Sequence, residues 1–322
     1  MLFDGISIII PFHKDLINIT RCLDAISQAT SRLCPADRLR LEIIVVDDAS
    51  PEPFSYQGPR ADLICHRLKN NSGVGAARNA GARLAKYEYL MFIDSDVFLA
   101  ADHLVIVFNI LRKKAIKILQ GTTSIEPGNK NPNLFHHYMA ISWYFFQSKY
   151  SRYFLATLCM VVNRKFFFQK GGFPESYPDS GGEEFEFSAL IHKTDRDAID
   201  YNHRLTFYHN YSGLYNRLKK ILVRSSRLKP FAMPRAFQIE AGIRGAGATL
   251  MTLALLLFLV NPLWAGMAYV SLGVLLFIAD WELSKYFIRH HSWRLALASV
   301  FFRQIEYSTV ICGVITGFFR KK

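Results

Sequence analysis

The stretch YLMFIDSDV, residues 89–97, drives an apolar run into two aspartates separated by one serine. Two carboxylates this close raise each other's proton affinity unless a cation lies between them. Hard oxygen donors at that spacing suit Mg2+ or Mn2+, which fill their remaining positions with water and phosphate oxygens. A solvated turn in which Asp96 caps the next helix is the competing reading, and the tripeptide alone does not separate the two. A second stretch, NNSGVGAARNAG (70–81), has the glycines of a dinucleotide loop, but Arg78 stands where the third glycine belongs. It also follows a third strand, not the first, so the dinucleotide reading fails. An arginine there is placed instead to reach a nucleotide or an acidic partner such as Asp47. The third stretch, GGEEFEF (181–187), sets Glu183 and Glu184 at a helix start. Acids suit that position through the helix dipole, whether or not they do chemistry.

These residues need a scaffold that brings them together. The periodicity predicts strands over 6–12, 41–48, 61–68 and 87–94, with helices over about 16–30, 75–86 and 102–115 between them, then a strand in IKILQGT. Beyond residue 121 it predicts a helix over 134–150, a strand over 154–162 and a helix over 181–193. Apolar strands alternating with helices make an α/β fold, a mostly parallel sheet with helices on both faces. Ligands of such sheets gather at the carboxyl ends of the strands. Phe12-His13, Asp47-Asp48 and Asp94/Asp96 all fall there. The aromatic cluster Trp143–Phe146 reads as packing.

Together, SIIIPFHKD, EIIVVDDASP, GVGAARNAG, YLMFIDSDV and GGFPESYPDSGGEEFEF resemble the family 2 glycosyltransferases, in that family's order, over roughly residues 5–210. The resemblance implies the GT-A fold, a nucleotide-diphospho-sugar donor, a divalent metal (Mg2+ or Mn2+) and inversion at the anomeric carbon. It implies that Pro11, Asp47, Arg78 and Asp94 belong to the nucleotide-sugar site, with Asp47 on the base, Arg78 bracing that pocket and Asp94 near the ribose. Asp94 and Asp96 match the family's DxD metal motif, and His209 in FYHNYSG falls where some GT-A enzymes place a further metal or phosphate ligand. The family usually carries Glu-Asp where this chain has Glu183-Glu184, the second acid being the base. Ser180-Gly-Gly-Glu183 fits a capping box, which would occupy Glu183 and leave Glu184 to face the acceptor, one methylene longer than the usual aspartate.

The last third of the chain is different. From Gly245 to Ala279 run 35 residues without a formal charge. One straight helix of that length would measure about 50 Å, against a hydrocarbon core of roughly 30 Å. Asn261-Pro262 divides it, which predicts a membrane hairpin of arms 245–260 and 263–279, either spanning or re-entrant. The stretch 295–319 carries a polar stripe including Arg303 and Glu306, which could pair. It reads as a helix lying in the interface or packed on the hairpin. The expected organisation is a GT-A domain over 1–215, a basic juxtamembrane segment over 216–244 and the membrane region over 245–322.

The net charge of +13 is concentrated here: Arg217 to Arg235 contains seven Lys or Arg and no acid. Beside an apolar run, that pattern predicts attraction to anionic lipid and a cytoplasmic catalytic domain on an inner membrane. No zinc-like spacing or RNA-binding signature supports a nucleic-acid partner. The apolar N-terminus has no basic region before it and runs into Pro11, so it reads as a strand and not a secretion signal. Five scattered cysteines without a CxxC pair point to a reducing compartment. The acceptor implied by membrane placement is lipid-linked or a growing surface glycan. Two other functions fit parts of the pattern: a catalytically silent nucleotide-sugar-binding scaffold of a glycan-assembly complex, and a nucleotidyltransferase, which would leave Glu184 without a task.

Overall fold

The structure is a computed structural model that describes residues 3–56, 63–150, 155–177, 182–225, 245–247, 250–251, 253–254 and 261–320. The chain forms two compact units, one from residues 1–130 and 146–211, the other from 131–145 and 212–322.

In the first unit, β1 (Ile6–Phe12), β2 (Leu41–Asp47), β3 (Leu63–Arg67), β4 (Tyr89–Ile93), β5 (Val97–Leu99), β6 (Ile118–Thr123), β7 (Cys159–Asn163) and β8 (Ile199–His209) make one sheet ordered β3-β2-β1-β4-β7-β6-β8-β5. Strands β3, β2, β1 and β4 are mutually parallel, β7 is antiparallel to β4 and β6, β6 and β8 are parallel, and β5 is antiparallel to β8. The sheet is therefore mixed, with its parallel part at the N-terminal half. The helices of this unit are α1 (Leu16–Ser31), α2 (Pro35–Arg38), α3 (Val74–Leu84), α4 (His103–Lys113), α6 (Arg164–Gln169) and α7 (Glu183–Thr194), while most of α5 (Leu134–Tyr150) belongs to the second unit.

The alternation of side chains divides the core between the two faces. Ile6, Ile8, Ile10, Met91 and Ile93 pack with Ile19, Leu23 and Ile26 of α1 and Leu104 and Val107 of α4. Ile9, Ile44, Val46 and Phe92 pack on the other face with Ala77 and Ala80 of α3 and Phe187 and Ile191 of α7. Both faces are covered, which is why β1, β2 and β4 are buried along their whole length and read as continuous apolar runs. Pro11 sits in this central strand beyond the last β1–β4 pair, Ile9 with Phe92, where its missing N–H costs no rung on that side.

His103 opens α4 fully buried. Its Nδ1–H donates to the Thr206 carbonyl at 2.8 Å, leaving Nε2 facing the Cys159 thiol at 3.6 Å. Burial pushes its pKa down to about 4, against the opposing pull of that carbonyl and Asp102. An unfolded histidine takes up its proton near pH 6.5. Between that pH and about 4 the unfolded chain therefore binds a proton that the folded one refuses, and stability is lost as pH falls. The loss reaches on the order of 3 kcal/mol at 1.36 kcal/mol per pH unit. Denaturant titrations at pH 7.5 and 4.5 should show this acid loss in the parent protein and a smaller one in His103→Gln.

The second unit contains α8 (Leu214–Ser225), α9 (Pro262–Ala279), α10 (Trp281–His290) and α11 (Trp293–Arg320), with α11 packed on each of the other three. Segments Pro262–Ala279 and Trp293–Gly313 are long and apolar enough to cross a membrane, by length and composition. Much of the expected first hairpin arm, 245–260, lies outside the described residues, as do 226–244 of the basic segment. Arg303 does not pair with Glu306. It is buried, 2.8 Å from Asp280 and bonded to Ser284 and Ser299, while Glu306 accepts from Arg217 at 2.9 Å and Tyr138 at 2.8 Å. Partners supplied by other helices displace the neighbour on the same helix.

Candidate active site

Parallel pairing fixes where the acids go. Asp47 ends β2 opposite Phe12, and β4 ends at Ile93 on the far side of β1. Strands β2 and β4 flank β1, so Asp47 and Asp94 leave the same edge of the sheet about 10 Å apart, at roughly 4.8 Å per strand.

Asp47 is almost fully buried and held by three donors: the Ser50 N–H at 2.8 Å, the Phe54 N–H at 3.1 Å and the Arg67 guanidinium at 2.5 Å. Burial raises its pKa, but these bonds outweigh burial and leave it below the usual value. Arg67, at the end of β3, was not among the residues picked from sequence; its signal was a basic side chain at another strand's carboxyl end. Asp48 was also passed over for a specific role. It accepts from the N–H groups of Ser72 at 2.7 Å and Gly73 at 2.9 Å. It thereby anchors the start of α3, where Gly73 has φ 90°, a value that favours glycine.

Arg78 pairs with Asp94 and Glu183, not with Asp47. It is buried, with Nη1 donating to Glu183 at 2.8 Å and Nη2 to Asp94 at 2.6 Å, and its guanidinium lies 5.3 Å from the Phe173 ring centre. Burial disfavours its charge, but the carboxylates of Asp94, Glu183 and Glu184 more than offset that and raise its pKa. Glu183 responds in kind: burial pushes its pKa up, and the Arg78 charge, with hydrogen bonds, brings it below the usual range. One buried cation thus ties the end of β4 to the first turn of α7.

The expected capping box does not form as drawn. Glu183 is the first residue of α7, Gly182 is the N-cap without a side-chain bond, and Glu183 spends its carboxylate on Arg78. Ser180 lies outside the described residues. Glu184, next along the same turn, is partly exposed.

Asp94 and Asp96 open a tight turn between β4 and β5, closed by the Val97 N–H on the Asp94 carbonyl at 3.0 Å. Desolvation, with Asp96 beside it, holds the Asp94 pKa above the usual range against the pull of Arg78. Antiparallel pairing of Val97 with His209 then sets the His209 Nε2 3.4 Å from Asp96 Oδ2. Among the described residues no group of three or more His, Cys, Asp or Glu side chains is placed to hold a metal ion by itself. The carboxylates of Asp94 and Asp96 are the donor type that suits Mg2+ or Mn2+ bound together with substrate phosphates.

Residues 7–172 match the family model described as Glycosyl transferase family 2. A poly(ribitol-phosphate) beta-glucosyltransferase of Bacillus spizizenii is 30% identical over 122 residues, 36% of this chain and 18% of that protein. N-acetylgalactosaminyltransferase 6 of Drosophila melanogaster is 26% identical over 215 residues, 58% of this chain and 31% of that protein. The matches thus span less than a third of either relative's own length. A crystal structure of GalNAc-T7 with UDP, GalNAc and Mn2+ superposes with a TM-score of 0.49 at 18% identity, covering 66% of this chain and 44% of that one. The sheet is mixed, with helices packed on both faces.

Proposed function

The chain belongs to glycosyl transferase family 2, and on that premise we propose that it moves a sugar from a nucleotide-diphospho sugar to a hydroxyl acceptor, with inversion, at the edge where β2 and β4 end. The observation that carries this reading is Arg78, bonded at once to Asp94 and Glu183. It joins a donor-side acid to the helix start that presents Glu184.

Each residue has a task in a single displacement. Asp47, fixed by Ser50, Phe54 and Arg67, accepts from the base of the nucleotide. Asp94 lies toward the ribose, and Pro11 lines the same edge from the intervening strand. Asp96, His209 and the Asp94 side of the turn would hold a divalent ion, which when bound neutralises charge on the leaving diphosphate. Glu184 takes the proton of the acceptor hydroxyl as that oxygen attacks the anomeric carbon from the face opposite the diphosphate. One base then suffices, without a sugar–enzyme intermediate. Glu183, committed to Arg78, positions this turn.

The apolar helices of the second unit support association with a membrane, and with it a lipid-linked or surface-glycan acceptor. The basic residues near them favour the cytoplasmic face.

Purified protein incubated with a panel of nucleotide sugars and Mn2+ or Mg2+ should release nucleoside diphosphate from one donor. Chelation or Asp96→Ala should lower that release by at least about tenfold, as expected when transition-state charge loses its partner. Absence of release from any donor, with nucleotide still binding at this edge, would favour the silent scaffold. Release of pyrophosphate would favour nucleotidyl transfer.

A further inference from the structure

Asn79 follows Arg78 on α3 and is 4% exposed. Both ends of its amide hold one short segment of chain. Oδ1 accepts from the Phe173 N–H at 3.0 Å, and Nδ2 donates to the Phe173 carbonyl at 2.8 Å and to Glu175 Oε1 at 2.8 Å. A primary amide offers two donor hydrogens and one carbonyl, so both kinds of group are engaged. The backbone at Phe173 is thus gripped as a neighbouring strand would grip it. Two glycines leave room for that grip. Gly172 has φ 73°, which favours glycine, and a Cβ there would stand 2.8 Å from Asn79 Oδ1. Gly75 lies four residues before Asn79, on the same face of α3. A Cβ on it would stand 2.7 Å from the Pro174 carbonyl.

The gripped segment bears on the helix start that carries Glu184. The Phe173 and Phe187 ring centres are 4.9 Å apart, and Phe187 is three residues along α7 from Glu184. Tyr177, two residues past Glu175, packs on Gly182, where a Cβ would stand 2.6 Å from the tyrosine ring. Tyr177 also hydrogen-bonds the Glu186 side chain. Gly182 and Glu186 stand two residues to either side of Glu184. The ion pair of Arg78 with Glu183 fixes one point of this turn, and a helix start held at one point is free to pivot about it. Phe173 and Tyr177 supply the further points, and both belong to the segment that Asn79 holds.

We propose that Asn79 is a positioning residue for transfer. It clamps Phe173–Glu175 and, through Phe173 and Tyr177, sets the direction in which Glu184 faces the acceptor. This rests on the transfer reading above, with Glu184 as base. Asn79 itself touches no reacting atom. Its effect is geometric, and a displacement of about 1 Å in a reacting group costs on the order of 10²-fold in rate.

The test uses the full chain and reads release of nucleoside diphosphate. In Asn79→Asp one carboxylate oxygen still accepts from the Phe173 N–H, but the other faces the Phe173 carbonyl and the Glu175 carboxylate and is repelled by both. The kcat should fall by about 10–100-fold, with the donor KM nearly unchanged. Adding Glu175→Gln restores an amide donor to that oxygen and should recover part of the rate. The decisive comparison is the cycle with Glu184→Gln. Acting through Glu184, Asn79→Asp should cost far less in the Glu184→Gln background than in the parent. An equal factor in both backgrounds would overturn the proposal, because Asn79 would then act through folding alone. Hydrogen exchange gives a second reading that needs no turnover. Residues 183–187 should exchange faster in Asn79→Asp, with 47–54 and 94–97 as in the parent, and unchanged exchange at 183–187 would also overturn it. Gly172→Ala crowds the same clamp from the loop side and should reproduce both effects; parent-like rate and exchange in that variant would count against the clamp even if Asn79→Asp failed to fold. Full turnover by Glu184→Gln alone is a different failure, that of the base reading, and would remove this role with it.

Discussion

Replacing Glu184 with glutamine is expected to leave donor binding intact and slow transfer by about 10²–10⁴, the contribution of a positioned general base. Glutamine keeps the volume and the hydrogen-bonding outline of the side chain but cannot accept a proton. The loss should therefore fall on kcat, with the donor KM nearly unchanged. Glu183→Gln makes the contrast. Glu183 is buried and already bonded to Arg78 at 2.8 Å, so its replacement should cost stability first and activity through the misplaced turn. Restoring a base of the family's usual length with Glu184→Asp should retain much of the rate. Full turnover by Glu184→Gln would move the base elsewhere.

Arg78→Met should be among the most destabilising single changes in the first unit. Arg78 is only 2% exposed and neutralises two carboxylates at 2.6 and 2.8 Å. Removing it strands both, and breaking a buried ion pair costs about 3–5 kcal/mol. Arg78→Lys should be intermediate, since an ammonium is a point donor that cannot span two acids as a guanidinium fork does. The double variant Arg78→Met/Glu183→Gln should recover part of the loss by removing one of the stranded charges. The pH dependence follows from Glu183, whose carboxyl is held below its usual range by Arg78 against the effect of burial. That contribution is present above the unfolded pKa and disappears as pH falls through the folded one. The penalty of Arg78→Met, read from denaturant midpoints, should therefore be larger at pH 7.5 than in acid.

Much of the first unit could be read from the chain because β1, β2 and β4 are buried on both faces and announce themselves as unbroken apolar runs. The acids at their ends were visible for the same reason: a carboxylate has no packing role at the mouth of such a strand. The sheet's second half was harder. Strand β8, Ile199–His209, was not expected; its IDYNHRLTFYH is largely polar because much of its length is half-exposed, and it forms by pairing with β6 and β5, not by burying an apolar run. Without it, nothing in the sequence could bring His209 to Asp96. Arg78 was picked out by its place in GVGAARNAG, but its partners were not, because Asp94 lies 16 residues away and Glu183 lies 105. Arg303 is a similar case. Its neighbour Glu306 was the local choice, and Asp280, reached only after α10 turns the chain, takes the contact.

Nucleotide binding should engage acids distant in sequence at the carboxyl ends of β2 and β4. Hydrogen exchange of the full chain, with and without UDP or GDP in the presence of Mn2+, tests it directly. One nucleotide should slow exchange together at residues 47–54, 94–97 and 183–187. Protection by nucleotide confined to other segments, with these three unchanged, would contradict it.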